Sequence, residues 1–90
     1  MRKYQLKLYI TGKTTRSEQA VSNLKNLCKS KFNDEYELLI IDVLDSPELA
    51  EQDQVLATPT LIKILPLPVR RIIGDLTDTQ KVLLGLEIKV

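Results

Sequence analysis

Between residues 4 and 10 the apolar side chains Tyr4, Leu6, Leu8 and Ile10 alternate with Gln5, Lys7 and the amphipathic Tyr9, the period-two pattern of a strand with one buried face. After the turn Thr11-Gly12-Lys13, the residues Ala20, Val21, Leu24, Leu27 and Cys28 recur at helical spacing. The run Leu38-Leu39-Ile40-Ile41 within residues 36–43 is then apolar on both faces, as expected of a central strand covered on both sides. Strand, helix and buried strand predict a right-handed βαβ unit. Thr15 followed three residues later by Glu18 has the form of a capping box that opens the helix. The helix is expected to run roughly four turns and to end near Phe32-Asn33-Asp34.

Downstream, Ser46-Pro47-Glu48 reads as a short helix start, with Ser46 as cap, Pro47 at the first helical position, and Leu49 and Ala50 facing inward. An apolar stretch over residues 61–65 is expected to be a strand, bounded by Pro66 and Pro68. The C-terminal third fits two periodicities. In Val69-Arg70-Arg71-Ile72-Ile73 the apolar spacing is helical, while the β-branched content suits a strand. Leu84, Leu86, Ile88 and Val90 alternate as in a strand, yet Leu83, Leu86, Glu87 and Val90 share a helical face. Gly85 costs a helix about 1 kcal/mol relative to alanine. Local preference leaves both readings open, as happens where two packings lie close in energy.

With 90 residues the chain is expected to form a single domain spanning 1–90. Its 13 basic and 12 acidic side chains leave a net charge of +1, far from the basic excess of a nucleic-acid binder. No stretch approaches the roughly 20 apolar residues that cross a bilayer, so a soluble cytoplasmic protein is expected. The single Cys28 and the lack of histidine remove the commonest members of zinc, haem and catalytic-base constellations. Neither a cofactor nor a metal is expected.

The element order and the motif Thr58-Pro59-Thr60 ahead of an apolar segment resemble the thioredoxin arrangement. Thioredoxin chemistry needs a cysteine at the N-terminus of the first helix, where the dipole lowers its pKa. Thr14-Thr15-Arg16 stands there instead, and Cys28 lies deep on the apolar face, so it is read as a small buried hydrophobe. Gly12-Lys13-Thr14 superficially resembles a P-loop, but Lys7 occupies the place of the first glycine. Asp42, Asp45 and Asp53 sit at strand and helix ends, where solvated or capping carboxylates are usual. No enzymatic activity is expected.

Five segments carry a family resemblance: Leu6-Lys7-Leu8-Tyr9-Ile10-Thr11-Gly12, Ile41-Asp42-Val43-Leu44, Pro47-Glu48-Leu49-Ala50-Glu51-Gln52-Asp53, Ala57-Thr58-Pro59-Thr60-Leu61, and Pro66-Leu67-Pro68-Val69-Arg70-Arg71-Ile72-Ile73-Gly74-Asp75-Leu76. Together they resemble the KaiB family of circadian clock proteins, from about Tyr4 to about Glu87. The resemblance implies an α/β, thioredoxin-like, metamorphic protein with two forms. One is a βαββααβ ground state that self-associates into dimers or tetramers; the other is a βαβαββα monomer that binds partners. Gly85 and Glu87 align with family positions that influence the balance, and Pro59, Pro66 and Pro68 would make the exchange slow.

The implied partners are the N-terminal ATPase ring of KaiC, in competition with the kinase SasA, and KaiA, which the family sequesters. Lys63, Arg70 and Arg71 are expected to engage the KaiC-type ATPase as one basic group. Arg2, Glu37 and Leu39 lie at the edge that would meet KaiA. Thr15 stands where the family turn carries a proline, Pro66-Leu67-Pro68 replaces a triple proline, and no acidic tail follows Val90. These departures fit a divergent paralogue, with stress-response or two-component signalling as the alternative role.

Overall fold

A computed structural model of the protein describes residues 3–33 and 35–88. Its elements are β1 (Tyr4–Ile10), α1 (Thr15–Lys31), β2 (Tyr36–Asp42), α2 (Pro47–Gln52), β3 (Thr60–Leu65), β4 (Arg70–Ile73) and α3 (Thr79–Gly85). The order βαβαββα is the thioredoxin-like one of the two forms implied above. Four strands make one mixed sheet in the order β2-β1-β3-β4. β1 pairs parallel with β2 and antiparallel with β3, and β3 pairs antiparallel with β4.

The strand parity divides the interior in two. Tyr4, Leu6 and Leu8 of β1 join Leu61 of β3, the buried face of α1, and Val82, Leu83 and Leu86 in the larger core. Tyr9, Ile41 and Ile62, on the other face, pack with Ala50 of α2. Both faces of β1 are therefore covered, and Tyr9 is fully buried, which corrects the expectation of one buried face. β2 is also corrected. It is an edge strand, with Leu39 at 52% and Ile40 at 36% exposure, because β3 returns beside β1 and takes the central place.

Helix α1 is capped one residue earlier than the Thr15 pattern suggests. The Thr14 hydroxyl accepts the Ser17 amide at 3.2 Å, and the Ser17 hydroxyl accepts the Thr11 amide at 3.1 Å. That shift gives the third helical position to Ser17 rather than Glu18. The helix ends at Phe32, whose ring stacks on Tyr4 with centroids 4.0 Å apart and lies 6.5 Å from Tyr36.

In α2 only Ala50 is buried, while Leu49 is 36% exposed. Adjacent helical residues point about 100° apart, so one of the pair must turn outward. Ser46 is the cap residue but makes no side-chain capping bond. Of the two ambiguous stretches, 69–73 is strand over Arg70–Ile73, whereas of 83–90 only Leu83, Leu84 and Gly85 lie in a helix, at the end of Thr79–Gly85, and Lys89 and Val90 lie outside the described residues. Asp78 caps α3 by accepting the Lys81 amide. Gly85 fits closely there, since a Cβ would meet Ile72 Cδ1 at 3.2 Å.

α2 and α3 stop in the same way. Val55 N–H donates to the Ala50 carbonyl and Gln54 N–H to Glu51; likewise Ile88 N–H donates to Leu83 and Glu87 N–H to Leu84. These are Schellman caps. The residue that turns the chain is left-handed in each, Gln54 at φ 54° and Glu87 at φ 55°, where glycine carries no Cβ penalty. Replacing Gln54 by glycine is expected to raise stability by about 1 kcal/mol, and Gln54→Val to lower it, as read by chemical denaturation.

Candidate partner-binding surface

Adjacent residues on a strand point to opposite faces, so Arg70 and Arg71 of β4 serve different layers. Arg71 Nη2 and Nη1 donate to the carbonyls of Asp53 and Gln54 at 2.8 and 3.3 Å. Those oxygens belong to the C-terminal end of α2, which attracts cations. Arg70 reaches the opposite side and pairs through Nε with the carboxylate of Glu87, with both side chains 49% exposed. Each arginine thus holds the terminal cap of the helix on its own face. Around them Leu67, Val69 and Ile73 are exposed, so β4 presents a basic edge set among apolar side chains.

Lys63 does not belong to that edge. It is 0% exposed, and its Nζ has no hydrogen-bond partner among the described residues. The expected basic surface group of Lys63, Arg70 and Arg71 is therefore corrected. Lys63 shares its parity with Leu61 on β3, which carries it into the larger core, and the two arginines diverge. Burial holds the Lys63 amine below the ordinary lysine value; Glu87 opposes this and Arg70 adds to it.

Beneath Arg71 lies a polar network that the sequence reading missed. The Tyr9 hydroxyl donates to the Asp53 carboxylate and lies 3.1 Å from the Leu49 carbonyl oxygen. Lys7 Nζ reaches the same Asp53 oxygen at 3.1 Å. The Tyr9 bond holds the Asp53 carboxyl below its usual range, against the opposing effect of burial, and Lys7 helps. Burial, then the Asp53 bond, pushes Tyr9 up to about 12. The available signal was that Tyr9 shares the parity of Lys7, which places both on the α2 side of β1.

Asp42 accepts the amides of Gly12 and Leu44 at 3.1 and 2.9 Å; it closes a turn. Gly12 has φ 51°, which fits its reading as a turn glycine. Pro59 is buried behind a cis Thr58-Pro59 bond, and its carbonyl accepts the Gly74 amide at 3.0 Å. Burial pushes the Cys28 thiol up to about 11, as suits a packed hydrophobe rather than a nucleophile. Glu37 and Leu39 are exposed on β2, at the open edge of the sheet. Arg2 lies outside the described residues.

Compared with known proteins, residues 7–88 match the KaiB domain. The chain belongs to the KaiB family. It is 58% identical over 85 residues to the circadian clock oscillator protein KaiB of a Synechococcus strain, covering 94% of this chain and 83% of the relative. The solved N-terminal domain of Synechococcus elongatus SasA superimposes with a TM-score of 0.76 at 29% identity, covering 93% of this chain and 81% of that domain. Mitochondrial thioredoxin 3 of Saccharomyces cerevisiae also gives 0.76, at 17% identity, over 97% of this chain and 79% of its own. That last likeness establishes the thioredoxin-like fold of this KaiB-family chain and no more. At the N-terminus of α1, where thioredoxin chemistry requires a thiol, it has Thr14-Thr15-Arg16.

The network gives two pH limbs. The depressed Asp53 value contributes stability that is present above the ordinary aspartate value of about 3.9 and is lost as pH falls through the folded value. The raised Tyr9 value contributes stability that is present below 10.0 and is lost as pH rises toward about 12. Tyr9→Phe is expected to flatten the acid limb and to remove the part of the alkaline limb not due to Cys28. In an ultraviolet titration, a phenolate appearing near pH 12 should vanish in that variant.

Proposed function

We propose that this chain is a non-enzymatic regulator of a circadian clock assembly that docks on the N-terminal ring of a KaiC-type ATPase. The observation that carries this reading is the 58% identity to a circadian clock oscillator KaiB over 94% of the chain. The overlay on the SasA domain supports competition for one docking place, because two chains of the same outline can present the same surface. On this reading Arg70 and Arg71 lead the contact, with Leu67, Val69 and Ile73 supplying the apolar surround that basic anchors need at an interface. Lys63 is internal in this form and takes no direct part.

The open edge of β2, with Glu37 and Leu39 exposed, supports a second contact in which a KaiA-type partner adds a strand. A resting βαββααβ form that self-associates into dimers or tetramers accompanies this reading. Two features support it: residues 69–73 and 83–90 each satisfy strand and helix patterns alike, and both helices that border β4 end on strained, non-glycine caps. Pro59, Gly85 and Glu87 are the positions proposed to set the balance, and the protein is proposed to act in the cytoplasm.

The test is size-exclusion chromatography of the protein with the KaiC-type ATPase of the same cell and ATP, sampled over a day. Slow co-elution is expected, and Arg70→Glu or Arg71→Glu should weaken it by at least about tenfold. Circular dichroism of each variant separates lost contact from a loosened helix cap. No shift at any time would mean that the fold is inherited while the partner has changed.

A further inference from the structure

Lys63 is the feature that partner binding leaves unexplained. A lysine is almost never fully buried unless it is paired, yet this one is 0% exposed and its Nζ finds no hydrogen-bond partner among the described residues. Its cross-strand neighbours are Leu6 on β1 and Arg70 on β4. The layer that covers its side of the sheet is built from Leu24, Leu27 and Cys28 of α1, Val82 and Leu83 of α3, and Leu86 and Ile88 of the α3 cap.

Two charges act on it. The Glu87 carboxylate favours the ammonium, and the Arg70 guanidinium disfavours it. These two are themselves paired, so the carboxylate is shared and offsets only part of the cost of burial. Among the described residues, the remaining titratable side chains of this core are Tyr4 on β1, Cys28 on α1 and, packed against it, Tyr36 on β2.

We propose that Lys63 is a built-in destabiliser of the packing of α3 and its cap onto the sheet, and that the protonation of its amine sets how readily this layer opens. The physical basis is that an ammonium sealed without a full set of partners costs free energy that a neutral amine does not. When α3 lifts, the amine reaches water and the cost disappears. Lys63 binds its proton less readily when the layer is closed, so closure strengthens as pH rises through the depressed value. The gain levels off near the ordinary lysine value of about 10.4. At neutral pH the penalty is in force. The device needs no partner, and its failure would leave the docking reading untouched.

The experiment is amide hydrogen exchange on the full chain, wild type and Lys63→Met, corrected for the intrinsic pH dependence of exchange. At neutral pH the methionine variant should raise the protection of the Val82, Leu83 and Leu86 amides by about tenfold or more. The difference between the two proteins should shrink as pH rises to 9.5. Unchanged or reduced protection in a folded variant overturns the proposal. If Lys63→Met does not fold, the wild type decides alone, through an NMR titration of the lysine side chains. A Lys63 signal that titrates below the other lysines supports the device, and one that titrates with them overturns it.

Discussion

β1 is the strand on which the rest of the structure depends, because it is covered on both faces and paired on both edges. Its even positions feed the larger core and Tyr9 feeds the smaller one. A seven-residue strand with two cores must carry apolar bulk on both parities, and Tyr9 does so while keeping its hydroxyl bonded to Asp53. That bond sets the position of α2 over the sheet. A buried aromatic with a polar tip suits this place, because the ring supplies packing and the tip needs a partner.

The candidate surface is organised by the ends of helices rather than by their faces. Arg71 answers the free carbonyls of α2, and Arg70 answers Glu87 at the end of α3. Both caps are built on a left-handed residue that is not glycine. The same two arginines are the most accessible cations on β4, so the groups that hold the helices in place are also those offered outward. A partner that draws on either arginine competes with a helix cap, which ties recognition to the integrity of the C-terminal half.

Much of this was legible in the chain. The alternation over residues 4–10, the helical spacing of Ala20, Leu24, Leu27 and Cys28, and the prolines flanking β3 each report a local period that tertiary packing leaves in place. The misreadings of the sheet have one cause, which is that the order of strands is not a local property. An apolar run such as Leu38-Leu39-Ile40-Ile41 reads as central, but β3 inserts beside β1 and leaves it at the margin. In the same way Lys63 reads as a surface cation until its parity with Leu61 is set in an inner strand. A lysine amid apolar residues of a strand flanked by strands was the signal. The C-terminal third could not be decided locally, because Arg70–Ile73 and Thr79–Gly85 settle in opposite senses only when the sheet is there to receive them.

β2 carries a wider consequence. It is a seven-residue outer strand with only Glu37 and Asp42 charged, and Leu39 and Ile40 stand open to water. β4, at the other margin, is shorter and begins with two arginines, the kind of charged residue that blunts an exposed edge. The two margins therefore age differently in a crowded solution. One is guarded, and the other is a template on which any extended chain can lie. An open edge of this kind is where chains associate, so a form that covers β2, by a partner or by another copy, removes the sheet's less guarded margin.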